Sequence, residues 1–255
     1  VRFLLTAMAL PFSVDVPDAG TAAAAPGGEQ VREAVARAFA VIRVAERRFS
    51  RHLPDSELSR LDRAELRLHD ASPELLEVLT VAETFAQASG GAFGVERPDG
   101  HLDLDGVVKG WAAQRAADAL AAAGVERFCL NAGGDVVVQG GRAPGVPWQV
   151  GVRSPWSTAE TLVVLPVHDG AVATSGSYER GAHVRDARTG APATALVSAT
   201  VVADDLVTAD VAVTTVVALG EDGVAWAQDE LGCGVLALRA DGTVVRSGLG
   251  LAHPA

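Results

Sequence analysis

The 255-residue sequence predicts an α+β fold, with mixed, largely antiparallel sheets and packed helices. Helical periodicity dominates up to residue 123, whereas the rest of the chain consists mostly of short alternating or apolar runs of strand length. Neither an internal repeat nor a long linker divides the chain, so it reads as one domain or two interleaved lobes.

Along the chain, residues 3–12 run on through Phe12, Val14 and Val16 with strand-like alternation and read as a first β-strand. A Gly/Ala/Pro-rich turn occupies 18–28. Residues 29–49 set Val31, Val35, Ala38, Phe39 and Ile42 on one face with arginines opposite, the pattern of an amphipathic helix. Residues 50–54 break it, and Asp55 and Ser56 offer caps for a short helix through Leu61. Ser72 caps a helix over 72–88, with Pro73 suited to its first position. A glycine-rich loop at 90–94 leads toward an alanine-rich helix over 106–123, stopped by Gly124. Strands are expected at 127–131, 136–139, 148–152, 161–167, 171–174 and 196–203. Helices at 207–219 and 223–231 and strands at 234–238 and 244–246 complete the chain.

Composition excludes some functions. A net charge of -11 and a pI near 4.9 argue against nucleic-acid binding and against a polybasic membrane contact. Any anionic ligand must then be held by local devices such as backbone amides, a metal ion or a single well-placed cation. The apolar stretch at 3–12 is too short to enter a bilayer as a span and has no cysteine beside it for lipidation; the expected compartment is cytoplasmic. Cys129 and Cys233 lie far apart in apolar runs and read as two buried thiols, not a disulfide or a metal site.

Four clusters stand out as chemistry-bearing. Of the 21 basic residues, one is a lysine, Lys109, between Gly106 and Gly110 and preceded by Asp103 and Asp105. Lysine is a compact point charge where arginine is a planar fork, so its retention marks either a specific need or chance. It falls in the first turn of the 106–123 helix, where free amides and the helix dipole favour an anion. The second cluster, Asn131, Gly133, Gly134 and Asp135, is a turn between strands: an ordinary hairpin, or a place where ligand approaches backbone. The third is the polar stretch 173–190, with the only tyrosine, Tyr178, and with His183. The fourth pairs Asp210 with Thr214, four residues apart on one helical face. These are hard oxygen donors suited to Mg²⁺ or Ca²⁺, or else a helix-start aspartate and a threonine bonded to its own backbone.

Taken in order and spacing, these clusters resemble the ApbE family, the FAD:protein FMN transferases. The resemblance takes in Ala7 and Met8, residues 49–61, Gly91 to Phe93, residues 102–112, Asn131 to Asp135, residues 173–176, residues 183–190 and residues 209–214. It implies an ApbE-like flavin transferase fold forming a single catalytic unit over 1–255, or two interleaved lobes with the site between them. It further implies an enzyme that splits FAD and transfers FMN to a Ser or Thr hydroxyl of an acceptor flavoprotein, releasing AMP, with Mg²⁺ as cofactor and Ca²⁺ or Mn²⁺ as substitutes. The implied metal ligands are the side chains of Asp210 and Thr214 with the carbonyls of Gly106 and Val213. Met8, His52, Ala92, Phe93, Gly94, Asp103, Lys109 and Val184 fall where the family contacts FAD, and His183 where a base for the acceptor hydroxyl is proposed. Lys109 is assigned to holding FAD or its phosphates, not to acting as nucleophile or base. The chain departs from the family pattern at Ala9, usually glycine, at Gly94, usually aspartate, at Ala187, usually proline, and at His52, often aromatic. No segment suggests that the chain is its own acceptor. Two alternatives stay open: an FAD pyrophosphatase yielding FMN and AMP, and a non-catalytic FAD-binding protein.

Overall fold

The structure, a computed structural model, describes residues 1–17, 28–97, 99–157, 159–176 and 184–249. Strands β1 (Arg2–Ala7), β2 (Leu10–Asp15), β3 (Phe128–Ala132), β4 (Asp135–Gln139), β7 (Gly170–Gly176), β8 (Ser198–Ala203), β9 (Gly234–Leu238) and β10 (Val244–Ser247) hydrogen-bond in that order into one sheet. Every neighbouring pair in it is antiparallel. Strands β5 (Trp148–Arg153) and β6 (Thr161–Val167) form a separate antiparallel ribbon.

Period-two alternation sorts the sheet's side chains onto two faces. Val137, Ala171, Ala173, Val201, Val235 and Ala237 join the main core with the helices. Their neighbours Val136, Val138, Val172 and Leu236 pack on the other face against Trp148, Val152, Leu165 and Val167 of the ribbon. The sheet is apolar on both faces because it is covered on both: helices on one side, ribbon on the other.

The helical layer comprises α1 (Gly28–Phe49), α2 (Glu57–Asp62), α3 (Pro73–Ala88), α4 (Asp105–Ala122), α5 (Leu206–Leu219) and α6 (Asp222–Leu231). Ser56, Ser72 and Asp205 cap α2, α3 and α5 by accepting from Ser59, Leu75 and Thr208 amides, and Pro73 opens α3. Gly124, at φ 81°, ends the helical run after α4, and the Val125 amide returns to the Leu120 carbonyl. Helix α4 lies between α1 and α5. Its alanines permit that close approach: Ala112, Ala113, Ala116 and Ala117 are all buried. At its outer side Trp111 meets Phe49 edge-on at 5.5 Å and donates to Glu77, while Arg115 stacks over its ring at 4.7 Å.

The N-terminal stretch corrects the sequence reading. Instead of one strand it forms the β1–β2 hairpin, turned by Met8 and Ala9, both left-handed at φ 52° and 57°. Two-residue hairpin turns of this hand normally carry Asn or Gly, and their absence hides the turn in the sequence. A left-handed alanine is strained by about 1–2 kcal/mol, only partly offset by the extra unfolded-state freedom glycine would bring. Ala9→Gly is therefore expected to stabilise the fold by up to about 1 kcal/mol. Urea denaturation checks this; a lowered midpoint would show the turn to be unstrained.

Cys233 is buried and Cys129 partly so, and both are free thiols. Burial pushes each up to about 11, so neither is a ready nucleophile.

Candidate active site

The helix–sheet junction opens into a cleft of about 1320 Å³. That exceeds the roughly 300–1,000 Å³ usual for drug-sized ligands and suits something as long as a dinucleotide. Its floor is built from three charged side chains. Lys109, on the first turns of α4, places its ammonium between Asp135 at the start of β4 and Asp210 on α5, with Nζ 3.0 Å from Asp210 Oδ1 and a shorter contact to Asp135 Oδ2. Both carboxylates are almost wholly buried, their side chains 4% and 5% exposed.

The backbone fixes these groups. Asp210 Oδ2 accepts the Gly110 amide at 2.9 Å, and Asp135 Oδ1 accepts the Thr174 amide at 2.8 Å. The sharp turn at Gly133 and Gly134, with φ 65° and 117°, delivers Asp135 to the helix side of β4. Helix α4 must pass very close to α5 for this arrangement: a Cβ on Gly110 would lie 2.7 Å from the Leu206 carbonyl oxygen and 2.9 Å from Asp210 Cβ.

The charge balance of the floor is two carboxylates to one ammonium. Burial alone would lower the Lys109 pKa, but Asp210 and Asp135 outweigh it and hold the ammonium above its ordinary value. Burial raises Asp210 above the ordinary carboxylate range; Lys109 opposes the shift and Asp135 adds to it. The floor thus carries a buried negative charge that a further cation would offset. Thr214 lines the cleft beside it, its hydroxyl donating to the Asp210 carbonyl at 3.1 Å. This is the backbone bond that a purely structural threonine would make, and it leaves the oxygen's lone pairs available. Among the described residues no group of three His, Cys, Asp or Glu side chains converges at metal-binding range. Such a donor set suits a hard cation that shares few protein carboxylates and completes its shell with carbonyls, water and phosphate oxygens.

The sequence-derived residues gather here with two exceptions. Gly106, Lys109, Asp210 and Thr214 line the floor, and Met8, His52, Ala92, Phe93, Gly94, Asp103 and Val184 line the walls. Val213 is buried at 1% exposure and does not line the cleft. His183 lies at 177–183, outside the described residues.

Each wall position has a local cause. The Met8 amide donates to Glu46 on α1, which holds the left-handed turn against the cleft. Phe93 is buried, packs edge-on against Phe85 at 6.5 Å, and its amide is held by Ser89. Asp103 Oδ1 accepts the Asp105 amide at 3.1 Å at the entry to α4, and its Oδ2 pairs with Arg51, which also reaches Asp105 at 3.1 Å. Two of the departures from the family pattern stand side by side: a Cβ on Gly94 would come within 2.9 Å of Ala187 Cβ. The Ala187 amide donates to the Ala92 carbonyl, so the 184–190 segment is seated against the 92–94 loop.

The sequence assigns no site role to Asp135 or Gly110, although both stand in the clusters singled out there, and none to Glu46 or Arg51. Asp135 was signalled by an acid following two glycines into an apolar strand, but its partner is 26 positions away. Gly110 could have been flagged as a glycine inside a helix, where alanine is the better helix former. Glu46 and Arg51 carry no local signal.

Across residues 8–96 and 94–237 the sequence matches the ApbE family. An FAD:protein FMN transferase of Rhodobacter capsulatus is 31% identical over 199 residues, 74% of this chain and 36% of the relative. That of Escherichia coli strain K12 is 32% identical over 135 residues, 49% of this chain and 38% of the relative. The chain spans about two fifths of the length of the curated relatives it matches. Among solved structures, the flavin transferase ApbE of Vibrio cholerae superposes with a TM-score of 0.80 at 22% identity, covering 97% of this chain and 96% of that one. The ApbE protein of Thermotoga maritima gives 0.80 at 21% identity, with 97% and 96% covered.

Proposed function

The chain belongs to the ApbE family, and on that premise we propose that it is an FAD:protein FMN transferase. In this reading FAD occupies the cleft and the chain transfers its FMN part to a Ser or Thr hydroxyl of an acceptor flavoprotein. The acceptor O–H loses its proton, an O–P bond forms to the FMN phosphorus, and the pyrophosphate P–O bond breaks with AMP as leaving group. The observation that carries the reading is the Lys109–Asp135–Asp210 floor, an ammonium between two buried carboxylates, at the base of a cleft of about 1320 Å³.

Phosphoryl transfer asks a protein mainly for positioning and charge neutralisation. Lys109 is fixed by two carboxylates and meets the phosphates as a compact cation. Asp210 and Thr214, with the Gly106 carbonyl, would hold Mg²⁺ beside it, and Ca²⁺ or Mn²⁺ suits the same oxygens. When bound, that ion neutralises phosphate charge and favours departure of AMP. Val213 is the fourth proposed ligand, through its carbonyl, since its side chain is in the core. Met8, His52 and the 92–94 loop would grip the flavin part, with Asp103 and Val184 completing the FAD contacts. His183 is proposed as the base that takes the acceptor proton, because imidazole titrates near neutrality.

AMP release, measured with FAD and Mg²⁺ in the presence and absence of acceptor, tests the proposal. AMP formed only with acceptor supports transfer; AMP formed at the same rate without it makes the protein an FAD pyrophosphatase, and no AMP with tight FAD binding makes it a binder. His183→Ala is expected to lose transfer while FAD affinity, read by flavin fluorescence, stays within about twofold, as befits a proton acceptor outside the binding contacts. An unchanged transfer rate removes His183 as base.

A further inference from the structure

Asp135 has no part in the proposed metal-ligand set, yet it makes the shorter of the two contacts to Lys109. The two carboxylates are held differently. Asp210 Oδ2 is committed to the Gly110 amide, which leaves Oδ1, the oxygen that faces Lys109, as the one available to a cation. Asp135 is committed to the Thr174 amide through Oδ1 and directs Oδ2 at the ammonium. It stands on a central strand of the sheet, whereas Lys109 and Asp210 stand on two helices that cross at Gly110. In the described structure ammonium and cation would therefore compete for Asp210 Oδ1, unless the ammonium has another anchor.

We propose that Asp135 is a positioning residue that keeps the Lys109 ammonium when Asp210 gives its Oδ1 to a divalent cation, so that both positive charges stand on the cleft floor together. The inference rests on the reading of Asp210 as a metal ligand. Without Asp135, Lys109 stays locked on Asp210 and the cation must displace it. With Asp135, the same lysine is handed sideways to the strand and remains charged and placed for an anionic substrate.

The chain's single lysine makes this measurable without any turnover. Protein grown with [¹³Cε]lysine gives one side-chain signal, and Mg²⁺ alone is the titrant. Wild type is expected to show a saturable shift of that signal. Asp135→Asn keeps an oxygen for the Thr174 amide and turns an NH2 toward the ammonium, removing both the charge and the acceptor that hold Lys109; it is expected to weaken Mg²⁺ by about ten- to a hundredfold, the range for groups that orient a metal ligand. In a Lys109→Met background, with Mg²⁺ affinity read by calorimetry, the same substitution is expected to change affinity by less than about twofold, because the competitor is gone. Equal weakening with and without Lys109 overturns the inference, since Asp135 would then act as a ligand or through charge alone. Wild-type affinity in Asp135→Asn overturns it as well. Should Lys109→Met not fold, Lys109→Gln supplies the uncharged background, and the same two outcomes support or overturn the inference. No saturable signal in the wild type instead removes the metal reading on which the inference stands.

Discussion

Asp210→Asn is expected to lower metal-dependent turnover by about a thousandfold while leaving the protein folded. Asparagine matches aspartate in shape, and its amide oxygen can still accept the Gly110 amide, so the α4–α5 crossing survives. Lys109 retains Asp135 as its partner. What disappears is the charged oxygen facing the cleft, and with it the floor's excess negative charge. The expected result is a near-native unfolding midpoint, no Mg²⁺-dependent stabilisation, and AMP release at background. Full turnover in this variant would remove Asp210 from the metal site.

Gly110→Ala is expected to damage both stability and activity, although alanine is the better helix former. The added methyl would sit 2.7 Å from the Leu206 carbonyl oxygen and 2.9 Å from Asp210 Cβ, and neither is the loose end of a flexible side chain. The helices must separate, at about 1–3 kcal/mol for an overpacked site. Separation also pulls Asp210 away from the Gly110 amide and Lys109, and a misplacement of about 1 Å can cost about a hundredfold in rate. Thermal unfolding together with turnover checks this. A variant that matches wild type in both would show that the crossing has slack.

The fold class was legible because periodicity is local. The α1, α3, α4 and α5 patterns, the Ser56 and Ser72 caps and the Gly124 stop are each written within a few residues of where they act. The β1–β2 hairpin was not, because Met8 and Ala9 adopt left-handed backbone without the residues that advertise it. The site divides in the same way. Lys109 announced itself by composition, and Asp210 with Thr214 by helical spacing. Their convergence did not: Lys109 and Asp135 are 26 residues apart, and the Gly110 amide and Asp210 are 100 apart. The sequence placed Lys109 where helix amides favour an anion, whereas the structure gives its ammonium two carboxylates. The closeness of Gly94 and Ala187 likewise emerges only when two loops are brought together. Among the described residues no helix is long and apolar enough to cross a membrane.

The proposal that the cleft moves FMN from FAD onto a protein hydroxyl is tested most directly by intact-mass spectrometry of an acceptor flavoprotein after incubation with this chain, FAD and Mg²⁺. The predicted result is an acceptor heavier by FMN less one water, on a single Ser or Thr, with AMP formed in equal amount and neither product formed with Asp210→Asn. An acceptor of unchanged mass while AMP accumulates would contradict it.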